Sequence, residues 1–334
     1  MSPQFVDFDA DGKLDIVAGT FDGSPHLSRG SAAGWLAPEQ ILDQDGQRIV
    51  GNQFWNFDTK KWDETSRCDP AGHSGGVHVT SAVAFDWDGD GDLDLLLGDH
   101  KSGRVLLRRN EGTAQKYAFA AKNELVSAGG APIDVPGTVA TLRLFDWNRD
   151  GLLDLLASGM GDPYGNGPGG GVLLFTNTGS KTATTFGAPL VLVPASTKGE
   201  QAPTRPDSGL YVEAGDLDGD GDFDLVVGGY SHWTPKGRDL TAEEQQQAER
   251  LRQGLAEQLG KLEKLTEAAQ AASKGLEEEA ANKKYVEAFQ SQKEERAAIM
   301  KERQALQKQL EELVPSSKRE PFVWFYENTA AAAK

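Results

Sequence analysis

The chain has 334 residues, enough for one large domain or two ordinary ones with a sizeable buried core. Its formal charge of −17 argues against nucleic acid or an anionic membrane surface as a partner, and no apolar run approaches the ~20 residues of a membrane span. Thirty-nine glycines signal many turns, and a single cysteine, Cys68, permits no intramolecular disulfide and leaves the redox compartment undiagnosed. Met1-Ser2-Pro3 leads straight into an expected strand and loop, so any targeting segment is expected to have been removed or to lie outside this sequence.

Along the chain one unit recurs: D-x-[DN]-x-D-G-x-x-D, then an apolar run closed by glycine. The first copy is Asp7, Asp9, Asp11, Gly12 and Asp15, followed by Ile16-Val17-Ala18-Gly19. Its downstream pattern is weak, with only His26-Leu27 before Ser28-Arg29-Gly30. A long stretch follows, in which Phe54-Trp55-Asn56-Phe57 through Trp62 are expected to pack beneath the loop; a sugar or peptide platform is the functional alternative. Cys68, His73, His78 and His100 have spacings compatible with a soft metal, but one cysteine without a paired motif reads better as turn residues.

The second copy is Asp86, Asp88, Asp90, Gly91, Asp92 and Asp94, then Leu95-Leu96-Leu97-Gly98. Val105-Leu106-Leu107, the turn Asn110-Glu111-Gly112 and a further strand within Tyr117 to Val126 complete it. The third is Asp146, Asn148, Asp150, Gly151, Leu152 and Asp154, then Leu155-Leu156-Ala157-Ser158-Gly159. Val172-Leu173-Leu174-Phe175, Asn177-Thr178-Gly179 and Phe186-Gly187-Ala188-Pro189 leading to Leu190-Val191-Leu192-Val193 follow it. The fourth is Asp216, Asp218, Asp220, Gly221, Asp222 and Asp224, then Leu225-Val226-Val227-Gly228. The starts at 7, 86, 146 and 216 are 79, 60 and 70 residues apart, and each unit offers about four short strands, the content of a propeller blade. Trp87 and Trp147, at the second loop position, are expected to pack between blades.

The fourth copy is interrupted. Its expected strand and turn appear only at Phe322-Val323-Trp324-Phe325-Tyr326 and Glu327-Asn328-Thr329. Asp216 and Asn328 are 112 residues apart, against 24 from Asp86 to Asn110. The insert is rich in Ala, Glu, Gln, Lys and Leu. Thr241 and Glu244 spell a helix-start capping box, and Leu251, Leu255, Leu262, Leu265 and Ala269 form an apolar seam. The seam fades near Ser273-Lys274-Gly275 and resumes with Tyr285, Phe289, Ile299, Leu306, Leu310 and Leu313, so two antiparallel arms of about 30 residues are expected.

The loop chemistry points to calcium, which takes six to eight hard oxygens in a tolerant shell. Carboxylates at positions 1, 3 and 5 converge if the chain turns sharply at Gly in position 6. Position 7 (Lys13, Asp92, Leu152, Asp222) offers a backbone carbonyl, and Asp at position 9 closes the shell. The loops hold seventeen aspartates (four, five, three and five), as many as the net charge. An EF-hand would need an acid at position 12, where Ala18, Leu97, Ala157 and Val227 stand, and flanking helices. Asn148 predicts a third site that binds more weakly or depends on a water. Up to four calcium ions are therefore expected, one per repeat.

At these four loops and at Phe186-Gly187-Ala188-Pro189 the chain resembles the FG-GAP/VCBS repeat family, which includes the integrin α-subunit propeller. The likeness spans Pro3 to about Tyr230 and resumes at Pro321 to Asn328. It implies calcium bound by positions 1, 3, 5 and 9, and extracellular or periplasmic scaffolds for adhesion and ligand binding. The expected fold class is mainly β: a propeller of four-stranded blades in 1–238, a coiled-coil helical hairpin at 239–315 inserted in the fourth blade, and a return strand and tail at 316–334. A four-bladed ring and a part of a larger ring both remain open. The expected function is a calcium-stabilised, secreted, periplasmic or cell-surface scaffold with a protein or carbohydrate ligand, the helical arm serving a partner or self-association. The alternatives are a propeller-based carbohydrate-active enzyme and a structural component of a surface assembly. No catalytic residue is assigned: there is no nucleophile elbow or His-Glu-x-x-His, and Gly165 to Gly171 lacks Gly-Lys-Ser/Thr.

Overall fold

The computed structural model describes residues 3–69, 76–99, 101–162, 167–196, 202–276 and 278–329. Among them are seven sheets of antiparallel strands and three helices. The first sheet joins β1 (Gln4–Val6), β2 (Asp15–Gly19), β3 (Pro25–Ser28) and β6 (Glu39–Gln40), with a ribbon of β4 (Gly30–Ser31) and β5 (Gly34–Trp35) between the last two. A second ribbon, β7 (Gln53–Asn56) with β8 (Lys61–Glu64), fills the long stretch before the second copy. The second sheet joins β9 (Val79–Phe85), β10 (Asp94–Asp99), β11 (Val105–Arg108) and β12 (Glu124–Leu125); a ribbon of β13 (Ser127–Ala128) and β14 (Ala131–Pro132) follows. The third joins β15 (Val139–Phe145), β16 (Asp154–Gly159), β17 (Val172–Phe175) and β18 (Leu190–Val193). The fourth has three strands: β19 (Ser208–Gly215), β20 (Asp224–Trp233) and β21 (Lys318–Tyr326).

Each aspartate loop connects the first two strands of its sheet, and the register is the same four times. The residue before position 1 pairs with the Asp at position 9: Val6 with Asp15, Phe85 with Asp94, Phe145 with Asp154 and Gly215 with Asp224. The first copy, weak in sequence beyond its loop, thus builds a complete four-stranded sheet.

Apolar patterning explains how the sheets stack. β9, β10 and β16 are buried at every residue, so both faces are covered, whereas β2 alternates buried and half-buried as a one-sided strand does. Three apolar clusters lie between successive sheets. Val17, Leu27, Leu95 and Leu97 share one; Leu96, Leu107, Leu155 and Ala157 share the next; Leu156, Leu174, Val212 and Val227 share the third. The glycines that close the apolar runs permit this approach. A Cβ on Gly19 would lie 2.5 Å from the Thr80 backbone, and one on Gly98 would lie 2.6 Å from Val139. Polar contacts pin neighbouring strands as well: the Gln4 amide exchanges two hydrogen bonds with the Ala84 backbone, at 3.0 and 2.6 Å, and Leu142 N–H donates to Ser81 Oγ at 3.0 Å.

The chain divides into two compact units: Met1–Gly199, Pro203–Trp233 and Arg319–Lys334 form the first, and Thr234–Lys318 with Glu200–Ala202 the second. The flanks of its helices meet: a Cβ on Gly237 would sit 3.3 Å from Pro315. It holds α1 (Ala242–Ser273), α2 (Glu278–Ser291) and α3 (Lys293–Leu313). The capping box is formed in both directions: Thr241 N–H donates to Glu244 at 2.9 Å and Glu244 N–H to Thr241 Oγ1 at 3.2 Å. Arg238 also binds Glu244, and that bond and the Thr241 amide hold its carboxyl down at about 2.

α1 runs antiparallel to the return arm, since Gly254 faces Leu306 and Thr266 accepts from Arg296 at 3.2 Å. Ala248, Leu251, Ala269 and Ile299 are buried along the seam. The return arm departs from expectation: it is two helices broken at Gln292, not one. Arg296 occupies that break, bonding Gln292 Oε1 at 3.1 Å and covering the Phe289 ring at 4.1 Å.

Candidate metal centre

The loops repeat one hydrogen-bond plan, which makes each position's task legible. At position 5, a carboxylate accepts the N–H of position 7: Asp11 from Lys13, Asp90 from Asp92, Asp150 from Leu152 and Asp220 from Asp222, all at 2.8–3.0 Å. At position 1, Asp7, Asp86 and Asp146 accept from the glycine at position 6 at 3.0–3.1 Å, and Asp216 accepts from Gly219 at 2.8 Å. Two residues per loop take left-handed backbone. Position 6 does so as expected (Gly12, Gly91, Gly151, Gly221), and so does position 4, which is Ala10, Gly89, Arg149 and Gly219. Position 4 was missed in the sequence because only two copies carry glycine there. Asp88-Gly89-Asp90-Gly91 and Asp218-Gly219-Asp220-Gly221 held the available signal.

Position 9 has a second role beside the expected ligation. Asp15, Asp94, Asp154 and Asp224 are only 1, 2, 0 and 1 % exposed, and each opens the second strand. One oxygen of each accepts the N–H of position 2 (Phe8, Trp87, Trp147, Leu217) at 3.0–3.2 Å. The other accepts from the residue just after the third strand's end or near it: Gly30, Asn110, Asn177 or Asn328, at 2.6–2.9 Å. This carboxylate ties the loop to its own sheet, and each oxygen retains a lone pair for a cation.

Carboxylate oxygens converge in three loops. One oxygen each from Asp7, Asp9 and Asp15, from Asp86, Asp88 and Asp90, and from Asp216, Asp218 and Asp220 lie within 4.8 Å of one another. In the third loop Asn148 stands at position 3, and its amide donates to Asp150 at 2.9 Å, which satisfies that carboxylate internally.

Calcium is a fair test of this donor set, because every loop contains one buried carboxylate oxygen with no hydrogen-bond partner. They are Asp9 Oδ1, Asp92 Oδ1, Asp146 Oδ1 and Asp222 Oδ1. Such an oxygen is costly unless a cation or an ordered water meets it. Asp92 and Asp222, assigned from sequence only as carbonyl donors, therefore also offer side chains. The electrostatics agree. Burial, then the charges of Asp90, Asp88 and Asp86, push Asp92 up to about 6. Burial pushes Asp94 up to about 6 despite the amides of Asn110 and Trp87. Burial likewise raises Asp154, and raises Asp222 together with Asp220, Asp224 and Asp218. Hard anionic oxygens, crowded and partly desolvated, fit a hard divalent cation.

A family model for the FG-GAP-like repeat matches residues 86–157 and 146–227. Residues 86–227 are FG-GAP-like repeats. The match takes in the second, third and fourth loops, and the loop at Asp7–Asp15 lies outside it yet repeats the same hydrogen bonds. No curated protein matches the chain.

The remaining residues singled out in the sequence fall as follows. Trp87 lies 5.7 Å from Phe85 and 5.9 Å from Phe186, between the second and third sheets, and Trp147 lies 6.4 Å from Phe223 of the fourth. Trp55 and Trp62 contact edge to face at 5.7 Å across β7 and β8, and Trp62 stacks on His78 at 4.8 Å. Cys68 is buried and points its thiol at the Arg48 carbonyl, 3.6 Å away. His73 and His100 lie outside the described residues, as does Gly165, the start of the glycine-rich run.

Proposed function

We propose that the chain is a calcium-stabilised β-propeller scaffold that binds a protein or carbohydrate partner, without catalysis, outside the cytoplasm. The single observation that carries the calcium reading is the unpartnered buried carboxylate oxygen in each of the four loops. Side chains at positions 1, 3, 5 and 9, all carboxylates except Asn148, would hold the ion, with the backbone carbonyls of Lys13, Asp92, Leu152 and Asp222. Bound there, it would neutralise charges crowded at the turn between the first two strands of each sheet.

The propeller reading rests on four sheets of equal register, joined in chain order through apolar clusters. The extracellular reading rests on the resemblance to FG-GAP/VCBS repeats, which implies extracellular or periplasmic scaffolds. A ligand-binding role is favoured by a cavity of about 670 Å³ in the long segment of the first repeat. Arg48, Phe54, Asn56, Asp63 and Thr65 line it, with Arg48 over the Phe54 ring at 4.9 Å, a mainly polar lining suited to a polar partner group.

Calorimetric titration of metal-stripped protein with calcium tests the reading. Saturable binding at more than one site per chain, not reproduced by magnesium at equal concentration, is expected. Absence of calcium heat up to millimolar concentration would refute it.

A further inference from the structure

The residue ending each third strand, or following it, has a fixed place above its loop, because the next residue donates its N–H to the position-9 carboxylate. That residue is Arg29, Arg109, Thr176 and Glu327 in the four repeats. Its charge therefore runs from positive in the first two loops through neutral to negative in the fourth.

In the first two repeats the arginine reaches the loop. Arg109 Nη1 donates to Asp88 Oδ2 at 3.1 Å, and its Nε to Glu124 Oε1 at 2.9 Å. Arg29 repeats the arrangement, donating through Nη1 to Asp9 and through Nε to Glu39 Oε1 at 3.1 Å. Asp9 and Asp88 are both position 3, and both belong to the convergent carboxylate groups. Glu39 and Glu124 both lie on the fourth strand, so strands three and four together aim a guanidinium at one metal ligand. The first loop adds a second cation, Lys13 at position 7, paired with Asp11.

We propose that Arg29 and Arg109 are resident counter-cations that weaken calcium binding at the first two loops and make the four sites load unequally. This rests on the calcium reading above. The fourth loop, with five aspartates and Glu327 where the arginines stand, binds tightest. The second loop follows, then the first with its additional lysine. The third is weak for the separate reason that Asn148 replaces a carboxylate. In the absence of metal the guanidinium partly neutralises loops one and two, so removing calcium disturbs the fourth sheet most.

The test is Arg109→Gln in the full chain carrying Asp7→Asn, Asp146→Asn and Asp216→Asn, which leaves the second loop intact. Calcium affinity is read by calorimetry, and the thermal midpoint is read in chelator. A unit charge at this distance, partly screened, changes affinity roughly three- to tenfold. Arg109→Gln should tighten calcium by that factor and lower the midpoint in chelator, while Arg109→Lys, which keeps the charge, should leave affinity near the parent's. If the triple background loses its circular-dichroism signal, the same two substitutions are compared in the otherwise unaltered chain. There the isotherm should gain a tighter component with Gln alone. Calcium binding that is unchanged or weakened by Arg109→Gln overturns the counter-cation role and leaves the calcium reading standing. An unaltered chain that binds no calcium overturns both.

Discussion

Ala10 and Arg149 hold left-handed backbone at φ 56° and 58°, a conformation in which an L side chain crowds the following carbonyl. The turn that gathers the carboxylates needs two such residues, and glycine supplies both in the second and fourth loops. In the second loop glycine is needed twice over, since a Cβ on Gly89 would also lie 2.6 Å from the Lys181 carbonyl. Replacing Ala10 by Gly should raise stability by about 0.5–1 kcal/mol. Gly12→Ala should lower it by about 1 kcal/mol through backbone strain alone, because its Cβ would meet nothing within 4 Å. Urea denaturation in chelator isolates both effects from metal binding; equal stability of all three proteins would contradict the assignment. At this scale the alternating Asp pattern and the position-6 glycine were legible, because repetition made them stand out. The position-4 requirement was hidden by Ala10 and Arg149. The arginine contacts were hidden because they join residues about 20 apart in sequence through strand register.

Strands and helices were legible in proportion to their local signal. Leu95-Leu96-Leu97 and Leu155-Leu156 announce strands covered on both faces, and the Thr241–Glu244 box announces the helix start. The break at Gln292 left no mark, because no Pro or Gly accompanies it; backbone bonds from Gln292 N–H to the Phe289 carbonyl and from Arg296 N–H to the Gln292 carbonyl carry the chain across it, while the Arg296 side chain ties Gln292 to Thr266 of α1. β6 and β12 were faint because they are two residues long and carry charged side chains. The three helices lie wholly between β20 and β21 in sequence, and the packing of α1 on α2 and α3 is internal to their own unit. Deleting Thr241 to Leu313 with a short linker should therefore preserve the β signal in circular dichroism while removing most of the helical signal. Collapse of the β signal would mean that the sheets depend on the insert.

The whole molecule was legible as an array of repeats, because the loop spacing, the apolar runs and the interrupted fourth copy are all long-range features of one pattern. Its acidity is concentrated in the loops, where seventeen aspartates match the net charge of −17. Such a distribution makes metal-free protein electrostatically frustrated, and a ligand held only by the folded state stabilises it by mass action. At a calcium concentration one hundred times the dissociation constant, one site contributes about 2.7 kcal/mol. In a domain of this size that shifts the thermal midpoint by roughly 5–10 °C. The most direct measurement is the thermal midpoint of the intact chain in saturating calcium and in excess chelator. A midpoint higher by at least this amount in calcium is the predicted result; identical midpoints in the two conditions would contradict the account.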